Sequence, residues 1–157
     1  MIVDEVILHN PILKSIGKES ALDVSFVDEV CFQDRWSWGE LEYRADMSEE
    51  SRRYFAAECC GLLVGFGGGK FIEDDLFRIN VIAVEPGHRG LGLGEDLLKL
   101  LMDSAEDGGA EGITCEVAES EVRICRAVMA NGFEIDGFLE DYYSKGVGAH
   151  QFRTDLL

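Results

Sequence analysis

Apolar and polar positions along the chain alternate between two periods, and that alternation predicts the elements. Ile2–Leu8 reads as a first strand, with Ile12–Ile16 as a rival. Ser20–Phe32 reads as a helix with Leu22, Val24, Phe26, Val27 and Val30 apolar. Ser37-Trp-Gly-Glu40 has the form of a capping box, so a second helix is expected from about Trp38 to Met47. Arg53–Glu58 and Leu62–Ile72 read as a hairpin turning near Cys60-Gly61. Gly65, Gly67, Gly68 and Gly69 weaken its second strand and predict a bulge or a close backbone approach. Asp74-Asp75 turns the chain into a long strand ending in the apolar run Ile79–Val84.

Beyond Val84 the period changes. Leu97–Ala105 is helical and stops at Gly108-Gly109, a C-terminal signal. Ile113–Val117 is a short strand, Glu121–Asn131 a helix closed by Asn131-Gly132. Phe133–Tyr143 and Ala149–Asp155 form a closing hairpin around Ser144–Gly148. Strands first, then strand–loop–helix–strand–helix and a last hairpin predict an α/β domain with a mixed sheet.

Composition narrows the partners. At 157 residues the chain is expected to be one domain, residues 1–157, with a full core. It carries 31 acidic against 14 basic residues, a formal net charge of −17. That argues against nucleic acid and anionic membrane as partners. It suits a cationic substrate or basic protein equally as well as plain solubility. No apolar run reaches the length of a membrane span, and the N-terminus lacks the basic region of a signal peptide. Five cysteines without paired spacing read as reduced, mostly buried thiols, and hence as a cytoplasmic protein. His9, His88 and His150 are scattered, and no metal is expected. The chain is expected as a monomer or homodimer.

The chemistry concentrates between the strand ending at Val84 and the helix that follows. Arg89-Gly-Leu-Gly92-Leu-Gly94 is a Gly-rich turn opening a helix, which presents several backbone N–H groups to an anion. A dinucleotide fingerprint would need its third glycine at Glu95 or Leu97. A P-loop would need Lys-Ser/Thr after Gly94, where Glu95-Asp96 stand. A turn that binds nothing is the plain alternative. An anionic ligand would need local compensation from Arg89, His88 and the loop amides.

Arg-x-x-Gly-x-Gly after Val84-Glu-Pro86 resembles the acetyl-CoA pyrophosphate loop of the GNAT N-acetyltransferase superfamily. Nearly the whole chain lines up, best with the ribosomal-protein-alanine N-acetyltransferase branch. The resemblance implies a GNAT-like fold, a central mixed and mostly antiparallel sheet flanked by helices. It implies acetyl-CoA as cosubstrate. Ile82-Ala83-Val84 is similar to the strand whose backbone binds the pantetheine arm. Arg89, Gly90, Leu91, Gly92, Leu93, Gly94 and Glu95 are similar to the pyrophosphate loop. Trp36-Ser37 stands where the branch opens its second helix with Trp-Ser. Glu116-Val117 stands at its Glu-Val pair, whose glutamate is the general base. Gly132-Phe133 and Tyr142-Tyr143 match its Gly-Phe and paired tyrosines. Two positions depart: Glu121 stands where the branch has a cofactor-contacting Asn, and Val128 where it has a Tyr as general acid.

Acetyl transfer needs a neutral amine, and an α-amino group, with pKa about 8, is easier to deprotonate than lysine at about 10.4. Strand alternation puts Ile113, Cys115 and Val117 on one face and Thr114 and Glu116 on the other. A partly desolvated carboxylate there can serve as a base, directly or through a water. The competing reading is a Glu paired with a nearby Arg or Lys. Tyr142 and Tyr143 should alternate faces, one toward the site, where a hydroxyl can orient an amine or donate a proton; a packed aromatic pair is the alternative. Trp36 and Trp38 are candidates to wall a substrate groove, or else packing aromatics. Cys125 reads as a packed helix residue. The acceptor is expected to be a basic protein N-terminus. A cationic polyamine- or aminoglycoside-like amine, or a degenerate acyl-CoA-binding module without turnover, stays open.

Overall fold

The computed structural model describes residues 11–32 and 38–156. Their strands follow the order β1-β2-β3-β4-β5-β7-β6. These are β1 (Ile12–Ser15), β2 (Arg52–Cys59), β3 (Leu62–Glu73), β4 (Leu76–Val84), β5 (Gly112–Ala118), β6 (Glu134–Ser144) and β7 (Val147–Asp155). The helices are α1 (Ala21–Cys31), α2 (Glu40–Met47), α3 (Leu93–Asp107) and α4 (Val122–Ala130). Two compact units divide the chain. One holds residues up to Gly69 together with Val81–Leu101, the other Lys70–Asn80 and Met102–Leu157.

In the first unit β1 runs antiparallel to β2, from Ile12 opposite Glu58 to Ser15 opposite Phe55. The rival Ile12–Ile16 is thus a strand; Ile2–Leu8 lies outside the described residues. Helix α1 buries Ala21, Val24 and Val27 against Tyr43, Tyr54 and Phe66, and leaves Leu22, Phe26 and Val30 exposed. Helix α2 starts at Glu40, later than its capping signal predicts. Gly39 takes the cap position, and its N–H donates to Glu42 Oε1 at 3.3 Å. The Glu half of a capping box is therefore present two residues further on; Ser37 lies outside the described residues. Cys60 and Gly61 both have positive φ, the backbone of a tight two-residue hairpin turn.

The glycines of β3 produce close approach. A Cβ on Gly68 would lie 2.5 Å from Tyr54 Cε1, and one on Gly67 would lie 3.0 Å from Leu101 Cδ1. The strand itself continues through them from Leu62 to Glu73. Beside it the Tyr54 hydroxyl donates to Asp46 Oδ2 at 2.5 Å, and Arg52 pairs with Asp46 Oδ1 at 2.7 Å. The Tyr43 hydroxyl likewise donates to Asp28. Burying these carboxylates is tolerable because each accepts such bonds.

In the second unit Phe77, Ile113, Phe133 and Phe152 are fully buried, with Ile79, Cys115 and Val117 beside them in the core. The face alternation read in Ile113–Val117 is observed: Thr114 and Glu116 are only partly buried. β4 and β5 run parallel from Leu76 opposite Gly112 to Ile79 opposite Cys115. β5 pairs antiparallel with β7 along its length, and β7 with β6. The β6–β7 register shifts between Leu139 and Ser144, where Asp141 has φ of 52°. Asp141 Oδ1 accepts the Gly146 N–H at 2.5 Å and closes the turn.

Candidate active site

The Gly-rich turn is built as its sequence requires. After β4, Pro86–His88 makes one short 3-10 turn and α3 begins at Leu93. Gly90 and Gly92 have φ of 84° and 81°, and the space where a Cβ would stand is open at both. Only glycine adopts that backbone at little cost. The Asp96 N–H bonds to the Gly92 carbonyl, so the helical ladder starts inside the loop, and the N–H groups of the first turn lack helical partners. An anion fits such a helix start.

The expected cationic help is arranged differently. Arg89 folds back: its Nε donates to the Val84 carbonyl at 2.8 Å, and Nη2 lies 3.7 Å from Cys31 Sγ. His88 Nδ1 lies 3.4 Å from Glu85 Oε2. Arg89 and His88 are thus turned onto neighbouring groups of the protein, and the loop amides remain as donors for an anion. Leu91 and Glu95 are exposed; Leu93 is buried as the first core contact of α3. Ala83 is buried, with Ile82 and Val84 half-buried on either side.

Glu116 is the first β5 residue after the last β4–β5 pair. Its side chain is 12% exposed, and Oε1 lies 2.7 Å from Arg78 Nη2. The alternative reading of a Glu paired with an Arg is thus realised in the geometry. Burial pushes the Glu116 carboxyl above its ordinary range, and Arg78 pulls against this without cancelling it. Arg78 Nη2 also donates to the Tyr142 hydroxyl at 2.8 Å. The Tyr143 hydroxyl donates to the Glu116 carbonyl at 3.3 Å.

Alternation of the two tyrosines is corrected here. Their rings pack edge to face with centroids 4.9 Å apart; the Tyr142 hydroxyl meets the Arg78 guanidinium and the Tyr143 hydroxyl the Glu116 backbone carbonyl. The register shift at Asp141 lets neighbouring side chains converge. Sequence reasoning missed Arg78. Its signal was a lone charge inside the apolar run of β4.

Trp36 lies outside the described residues. Trp38 packs edge to face on Tyr43 at 5.3 Å, as a packing aromatic. Val128 is buried in α4, and Glu121 is exposed at the start of that helix. Cys125 is half-buried, its thiol turned to the Ala118 carbonyl and raised in pKa by burial. Cysteine burial is less uniform than composition suggests: Cys59 and Cys115 are buried, Cys31 and Cys125 half-buried, Cys60 exposed. No helix among the described residues is long and apolar enough to cross a membrane. They hold no cluster of metal ligands.

The model of the acetyltransferase (GNAT) family matches residues 22–133. The chain belongs to the GNAT family. Acetyl transfer from acetyl-CoA is that family's reaction, so the chain is an acetyltransferase. The N-alpha-acetyltransferase RimI of Mycobacterium tuberculosis is 26% identical over 123 residues, covering 75% of each chain. The mycothiol acetyltransferase of Frankia casuarinae is 31% identical over 113 residues, 64% of this chain. This chain spans 33% of that longer protein. Among solved structures the ribosomal-protein-S18-alanine N-acetyltransferase of Escherichia coli superposes with a TM-score of 0.84 at 19% identity, covering 93% of this chain and 94% of the other. The aminoglycoside 6'-N-acetyltransferase of Enterococcus faecium superposes at 0.78 with 14% identity, covering 93% and 97%. These superpositions establish the GNAT fold with its mixed, mostly antiparallel sheet.

Proposed function

We propose that this chain, acting as one acetyltransferase domain, acetylates the α-amine of a protein N-terminus, with Glu116 as general base. The observation carrying this is Glu116 itself: a desolvated carboxylate placed where β5 leaves its partner strand, with a proton affinity above that of ordinary glutamate. An α-amine loses its proton more readily than lysine near neutral pH, so a glutamate base suffices.

Acetyl-CoA supplies the activated acetyl group when bound. The Gly90–Glu95 turn holds the pyrophosphate through backbone N–H groups, and Arg89 stiffens the turn through the Val84 carbonyl. The backbone of Ile82, Ala83 and Val84 aligns the pantetheine arm. Glu116 takes the proton the acceptor amine gives up as its nitrogen bonds the acetyl carbon. Tyr142 and Tyr143 hold the hydrogen bonds that fix Arg78 and the Glu116 backbone, and either hydroxyl can protonate the departing thiolate in place of the acid absent at Val128. Trp36 is assigned to the acceptor side on its sequence position.

The likeness to N-alpha-acetyltransferase RimI favours a peptide acceptor. The likeness to mycothiol acetyltransferases and the −17 charge favour a small cationic amine as the second reading. Acetyl-CoA with matched panels of N-terminal peptides and small amines, followed by thiol release and product mass, separates them. Peptides acetylated at the α-amine are expected. Turnover of small amines alone would replace the first reading with the second, and thiol release from neither panel would favour a binding module.

A further inference from the structure

Arg78 is a cation set against the carboxylate proposed as base. Among the described residues its polar contacts fall on one nitrogen: Nη2 meets Glu116 Oε1 at 2.7 Å and the Tyr142 hydroxyl at 2.8 Å. Its Nε is buried without a hydrogen-bond partner among the described residues. The Arg78 side chain is 34% exposed against 12% for Glu116, so the arginine is the more open half of the pair. A guanidinium has a planar fork of donors matched to a carboxylate, and this one is only partly used.

The pairing is costly for a base. A cation at this distance stabilises the Glu116 carboxylate and lowers its appetite for a proton. A second anion that drew Arg78 away would release Glu116 when the amine arrives. On a chain with 31 acidic and 14 basic residues, a half-open arginine beside the base is an unusual local anion site. Resting on the assignment of Glu116 as base, we propose that the acceptor bears a carboxylate close to the amine it presents, and that Arg78 reads it. The amine faces Glu116 and the carboxylate takes over the Arg78 fork. A free amino acid and a peptide whose second residue is Asp or Glu share that chemistry.

Two matched acceptor pairs distinguish the sources: an Ala-Asp against an Ala-Asn peptide, and an amino acid against its amide. Wild type should show kcat/KM about tenfold or more higher for the acid member of one pair, the worth of one hydrogen bond to a charged group. Arg78→Gln should bring that ratio within about twofold, and Arg78→Lys should keep part of it, with melting temperatures checking both folds. Equal rates within both pairs in wild type would overturn the proposal. So would an acid preference unchanged in Arg78→Gln, or no turnover of any carboxylate-bearing acceptor. Glu116→Gln keeps the two ideas apart. An undiminished rate with the acid preference intact would sink the base assignment and leave the reading of Arg78 standing.

Discussion

Arg78 Nη2 lies 2.7 Å from Glu116 Oε1, one residue past the point where β4 and β5 cease to pair. If Glu116 is the base, Glu116→Gln should cut kcat by about 10²–10⁴-fold at neutral pH. The loss should shrink at high pH, where the amine is already neutral. A rate within about twofold of wild type at every pH would dismiss the base.

The same pair sets a pH profile. Burial raises the Glu116 carboxyl and Arg78 lowers it, with burial the larger. Below its folded-state pKa Glu116 is protonated and cannot accept a proton, so kcat/KM should fall with falling pH from above the ordinary carboxylate range. Arg78→Gln removes the opposing pull and should move that acid limb to higher pH. A limb that stays put, or moves down, would show that Glu116 does not control it.

Gly92 has φ of 81° with open space around its missing Cβ. Gly92→Val should therefore lose CoA binding by calorimetry, since the side chain would fill the approach to the loop amides. The left-handed backbone should cost about 1–2 kcal/mol of stability, leaving the protein folded. Unchanged CoA affinity would place the pyrophosphate elsewhere.

Gly68→Ala tests the close approach in β3. The new methyl would fall 2.5 Å from the Tyr54 ring, whose hydroxyl is held by Asp46. The ring can move only by giving up that bond, so a loss of about 1–3 kcal/mol is expected from denaturant unfolding. An unaltered midpoint would mean that Tyr54 yields freely.

Asp28 is buried under the Tyr43 hydroxyl, and burial raises its carboxyl above the ordinary range despite that bond. A carboxyl raised on folding stabilises the fold below its unfolded-state pKa, and this contribution is lost as pH rises through the folded-state value. Asp28→Asn keeps an acceptor for Tyr43 and removes the charge. Its melting temperature should gain on wild type as pH rises from the acid range toward neutrality. A constant difference across pH would show that the cost of ionising Asp28 is negligible.

Much of this protein was legible in its sequence because local rules decided it. The strand–turn–helix around Arg89–Gly94 follows from glycines that tolerate its backbone at little cost, although the helix starts at Leu93, inside the turn and four residues before the apolar run Leu97–Ala105 begins. The facing of Ile113, Cys115 and Val117 follows from the two-residue period of a strand. The start of α2 lies two residues beyond its capping signal because Gly39 supplies the backbone geometry and Glu42 the bond, a choice that side-chain preference alone does not reveal. The tertiary structure decided the partners. Arg78 meets Glu116 only because β4 and β5 lie parallel and side by side, a pairing between segments separated by the whole of α3. Tyr142 reaches Arg78 and Tyr143 the Glu116 backbone where the ladder slips between Leu139 and Ser144. Periodicity assigns each side chain a face from its own neighbours along the chain, whereas register across strands depends on residues that the local pattern never samples.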